Sequence, residues 1–79
     1  GSAGLAAARA RAALPVVASL VRRSRAMLSL VRRGRQAGEL PRESALRVAR
    51  ETRALLARSR GLERALRQIV RISRLFARG

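Results

Sequence analysis

The chain has 79 residues, 19 arginines against 4 glutamates for a net charge of +15, and no cysteine. That length holds one small domain with neither disulfides nor a thiolate metal site, so the fold rests on packing alone. Only 22 Leu, Val, Ile, Met and Phe side chains are available, and at this size a single core rarely contributes more than about 3 to 5 kcal/mol net.

Charge of one sign opposes compaction further, and a polyanion or an oligomer would relieve it. Asp, Asn, Lys, His, Cys, Trp and Tyr are absent, so every cationic side chain is an arginine. A GC-rich gene or a designed, reduced alphabet would produce this bias. Selection for guanidinium would too, because its planar fork pairs with phosphate bidentately. GC content does not account for the missing Asp, which fits a chain kept cationic. Four Glu and the hydroxyls of Ser and Thr are all that remain for acid, base, nucleophile or metal ligand. No enzyme, metal site or cofactor is therefore expected. Gly34 and Gly38 lack the spacing of a phosphate-binding loop. A helix-turn-helix pattern fails at Arg67, and a helix-hairpin-helix pattern fails at Arg42 and Ser44.

In chain order, the opening GSAG reads as an expression scar and is set aside, leaving residues 5–79 as a single helical domain. The first half has the cationic composition of a transit peptide, but the second half continues in the same style. The longest internal run without arginine, Ala12 to Val21, is ten residues, against the roughly 20 needed to span a bilayer. A soluble chain without a transmembrane segment or disulfides is expected, its location unassigned.

Breakers at Pro15, a kink or a fresh start, at Gly34 to Pro41, and at Gly61, a C-terminal cap or a tolerated glycine in one longer helix, divide the chain into four helical stretches. The first, residues 5–14, is Ala-rich and packs weakly through Leu5 and Leu14. Pro15 then starts a second helix over 15–36, with Val16, Val17, Leu20, Val21, Met27, Leu28, Leu30 and Val31 on its apolar half. A third over 41–59 opens with Pro41 and Glu43 in its first turn, where a negative charge suits the helix dipole. Its core stripe is Ala45, Val48, Ala49, Thr52, Leu55 and Leu56. The fourth, over 62–77, gathers Leu62, Ala65, Leu66, Ile69, Val70, Ile72, Ser73 and Phe76. Glu43 to Arg47 and Glu63 to Arg67 have favourable i,i+4 order. The fold predicted is all-α: a small bundle of three to four amphipathic helices, open to completion by homodimerisation.

Function is expected to follow charge. The leading reading is non-enzymatic binding of nucleic acid, DNA or RNA, through phosphates and with low sequence specificity. Its candidate residues are Arg22, Arg25, Arg32 and Arg33 on the second helix, with Arg64, Arg67, Arg71 and Arg74 on the fourth. No aromatic is free to stack on bases. The alternatives are an anionic membrane surface or an acidic protein docked by a cationic adaptor, and a homo-oligomer is compatible with each. The string SLVRR-x-R occurs twice, ten residues apart. That offset turns a helix by about 80° beyond whole turns, so the copies do not stack. Arg23 swings toward the apolar side as a candidate contact to another helix or a partner.

Overall fold

A computed structural model describes residues 2–78, leaving Gly1 and Gly79 outside it. It holds two helices, α1 over Ser2–Gln36 and α2 over Arg42–Arg78, packed against each other as a helical hairpin. The three-to-four-helix bundle expected from the breakers is therefore incorrect. The hairpin is a rod of 59 × 15 × 14 Å with a radius of gyration of 17.6 Å, where a globular chain of this length would have about 12 Å.

Neither Pro15 nor Gly61 ends a helix, and the pattern of burial explains why. Apart from half-buried Ala13, Ala18, Ser19, Ser29, Gly34 and Gly61, the buried and half-buried residues form two rows, on α1 Ala7, Ala10, Leu14, Val17, Val21, Ser24, Leu28 and Val31. On α2 they are Ala45, Ala49, Thr52, Leu56, Ser59, Glu63, Leu66, Val70 and Ser73. Both rows step by alternating threes and fours, the a and d positions of a heptad repeat. Every buried residue among those described falls on them. The phase of this repeat runs unbroken through Pro15 and Gly61, so packing on the facing helix continues across both. Pro15 and Arg11 are both exposed, so the Arg11 carbonyl that loses its N–H partner lies on the solvent side of α1. The GSAG segment set aside as a scar is also helical from Ser2 onward.

The transverse dimensions show that the two helices are inclined to one another. Two straight helices about 8 to 10 Å apart would be far wider in one direction than the other, whereas this rod measures 15 by 14 Å across. A heptad repeat favours a left-handed supercoil, which inclines the helices in this way. Ala and Ser alternate along the seam with Leu and Val, and at their levels the backbones can approach closely. No large side chain among those described is fully buried. Ser24 and Ser59 are accommodated locally: each hydroxyl donates to the carbonyl four residues earlier, Leu20 and Leu55, at 2.8 Å.

The turn between the helices is specified at Gly34, Gly38 and Pro41. The N–H of Gly38 donates to the carbonyl of Arg35 at 3.1 Å, and that of Glu39 to Gly34 at 2.8 Å. This is a Schellman ending, with Gly38 in the left-handed region at φ 74°. A side chain at Gly34 would meet Leu40 Cδ1 at 2.7 Å. Pro41 sits just before α2, its carbonyl accepting from the Ala45 N–H at 3.0 Å. Glu43 occupies the first turn of α2, and Arg33 and Arg35 the last turn of α1, each favourably placed for the helix dipole.

Helix continuity also alters the expectation about membranes. From Gly4 to Gln36, α1 runs 33 residues and is long and apolar enough to cross a bilayer by length and composition. Its apolar opening half carries Arg9 and Arg11. Bilayer spans and the core helices of soluble proteins share this property.

Candidate polyanion-binding face

The heptad frame sorts the side chains beside the seam into two flanks. Position e follows each d, and position g precedes each a. When two helices run antiparallel, the e positions of both lie on one side of the seam and the g positions of both on the other. The grooves agree with this geometry. Arg32 of α1 and Arg53 of α2 line one groove with Leu28, Val31, Ala45 and Ala49. Arg67, Arg71 and Arg74 line another that reaches Leu14 across the seam.

The e flank is predominantly cationic. Its charged members are Arg11, Arg25 and Arg32 from α1, and Arg53, Arg60, Arg67 and Arg74 from α2, all exposed, with Ala18 and Leu46 at the uncharged e positions. Just outside them, at position b, stand Arg22, Arg50, Arg64 and Arg71, also exposed. Successive e positions are about 10.5 Å apart along a helix, so the α2 row alone extends over about 32 Å. No acid interrupts the e rows, and Glu43, near the turn, is the acid at position b.

Seven of the eight expected site residues are brought together here: Arg22, Arg25, Arg32, Arg64, Arg67, Arg71 and Arg74. Arg33 faces the outer ridge of α1 instead, at position f. The flank also contains Arg11, Arg50, Arg53 and Arg60, which reading each helix separately did not select. Their signal was present as the strict seven-residue interval of Arg53, Arg60, Arg67 and Arg74.

One salt bridge forms among the described residues, Arg67 Nη2 to Glu63 Oε2 at 3.8 Å. The expected Glu43 to Arg47 pair is absent. Glu63 occupies a seam position with its side chain 20% exposed, whereas Arg67 is 69% exposed. Such a pair is screened and long, and it neutralises Arg67 weakly. Apart from Arg67, the flank's described arginines have no salt-bridge partner, and each guanidinium can donate two parallel hydrogen bonds to an oxyanion.

The opposite, g flank is apolar. Ala6, Ala13, Leu20, Met27 and Gly34 of α1 share it with Val48, Leu55, Leu62, Ile69 and Phe76 of α2. It carries no charged residue. These large side chains were expected in a core, but Leu20, Met27, Val48, Leu55, Leu62, Ile69 and Phe76 are exposed, as are Val16, Leu30 and Ile72 beside them. A hairpin covers only one seam per helix, so the second apolar stripe of each remains at the surface.

No family model, characterised protein or solved structure matches the chain. The flank's chemistry is therefore the ground for a functional reading.

Proposed function

We propose that the protein binds nucleic acid through its phosphates, with low sequence specificity, along the arginine flank of the hairpin. The observation that carries this is the convergence of eleven exposed arginines from both helices on one side of the seam. Binding follows from counterion release: each phosphate neutralised contributes about 0.9 to the slope of log affinity against log salt on duplex DNA.

Low specificity follows from size and chemistry. The rod is 14 to 15 Å across, and the major groove of B-DNA is about 12 Å wide and admits one helix. The hairpin therefore lies against the backbone rather than entering the groove. Phe76 is on the opposite flank, so stacking on splayed bases has no aromatic to use.

A second reading, attachment to an anionic membrane surface, draws on the exposed apolar flank and on the length of α1. One experiment separates the two. Duplexes of two unrelated sequences, a structured RNA and anionic vesicles are titrated with the full chain at two salt concentrations. The nucleic-acid reading expects similar affinities for both duplexes and steep salt dependence. Binding to vesicles alone, or a strong preference for one duplex sequence, overturns it.

A further inference from the structure

We infer that the apolar flank is covered by a second copy of the chain, two hairpins forming a four-helix bundle with their arginine flanks facing outward. The inference does not depend on what those arginines bind. It starts from doublets in the sequence: Val16–Val17, Leu20–Val21, Met27–Leu28 and Leu30–Val31. In each, the second residue enters the seam while the first is exposed. Val48–Ala49, Leu55–Leu56 and Ile69–Val70 repeat the pattern on α2. The first members occupy positions g and c, about 100° around each helix from the seam. Two apolar stripes roughly a right angle apart are what each helix of a square four-helix bundle requires.

Area and charge favour a second copy. A face 59 Å long and 15 Å wide offers about 900 Å² in projection, where a standard stable interface buries about 800 Å² per partner. Phe76, 73% exposed, and Leu62, 50% exposed, both lie on it. The obstacle to self-association is a charge of +15 per chain. Yet the arginines at e and b are across the hairpin from this face, leaving the two flanks about 30 Å apart in the bundle. That is several times the screening length of about 8 Å at physiological salt. Arg9, Arg23 and Arg58, at position c, fall on the rim, where long side chains reach water.

A bilayer suits the same face less well. At a supercoil pitch of about 150 Å, the apolar strip winds through more than a third of a turn over the 59 Å rod. A flat membrane cannot follow it, while a second copy winds with it. The arginines at e would also be held about 15 Å from the headgroups.

Sedimentation equilibrium of the full chain through the micromolar range, at physiological salt, tests this. The expected mass is twice 8.6 kDa. Leu62→Glu with Ile69→Glu is expected to return the single-chain mass with its helical circular dichroism kept. If the glutamates cost helicity, Leu62→Ala with Ile69→Ala is expected to weaken the dimer at least tenfold. Arg60→Gln with Arg67→Gln, on the opposite flank, leaves the dimer intact. A wild-type chain at 8.6 kDa throughout, an assembly larger than two, or apolar-flank variants as dimeric as wild type would each overturn the inference. So would a single-chain species that partitions onto anionic vesicles.

Discussion

Arg32 of α1 and Arg53 of α2 line the same groove, on opposite sides of the seam made by Val31, Ala45 and Ala49. Like charges that are free to separate in the unfolded chain are held on one flank in the folded one. The native state therefore carries repulsion that anions relieve.

Stability should accordingly respond to anions. Sulfate or a short duplex is expected to raise Tm, because a ligand that binds the folded state stabilises it by mass action and sulfate also favours burial. Thermal melts followed by circular dichroism measure this. A duplex that leaves Tm unchanged would uncouple the arginine flank from folding.

The two interior glycines of the turn and of α2 should respond in opposite directions to alanine. An added Cβ at Gly61 meets nothing within 4 Å, so Gly61→Ala gains helix propensity of about 0.8 to 1 kcal/mol. For a domain of this size that corresponds to a rise in Tm of about 4 to 8 °C. Gly38 has φ 74°, where a side chain is strained, and Gly38→Ala is expected to lower stability by about 1 kcal/mol. Chemical denaturation of both variants checks the signs.

Burial separates Val70 from Leu75, five residues along the same helix. Val70 is 8% exposed in the seam and Leu75 is 63% exposed. Val70→Ala should cost about 1 to 3 kcal/mol, and Leu75→Ala no more than about 0.5 kcal/mol. Equal losses in denaturant titrations would mean that the seam is misplaced.

Ser24 tests how tightly the helices approach. Its hydroxyl bonds only within its own helix, to Leu20, so Ser24→Ala is expected to be neutral or slightly stabilising. Ser24→Leu overfills a position that is 4% exposed and should cost about 1 to 3 kcal/mol. Tm values for the pair provide the comparison.

Helical character and cationic faces were visible in the sequence, but the number of helices was not. Pro15 read as a kink or a fresh start and Gly61 as a cap or a tolerated glycine in one longer helix, because local propensity was weighed one segment at a time; the tolerated glycine is the reading α2 bears out. The heptad phase that carries packing through both residues appears only when α1 and α2 are each read end to end. The apolar half of each helical wheel was also identified, yet a projection at 100° per residue merged two stripes into one. Val17 and Val16 thus looked equivalent, although one is buried and the other 70% exposed. The pattern was that of a bundle helix, while a single chain supplies only the first seam. Arg22, Arg25, Arg32, Arg64, Arg67, Arg71 and Arg74 were selected from separate faces. That they share a flank follows from antiparallel pairing, which the sequence of one helix does not contain.

Phosphate contact along the arginine flank is tested by the salt dependence of duplex binding for the wild type and for the chain with Arg53, Arg60, Arg67 and Arg74 all changed to Gln. If these four contact phosphates, the log–log slope should flatten by about 3.6, with weaker binding on every duplex sequence and unchanged helicity. An unchanged slope and affinity in the folded variant would contradict the account.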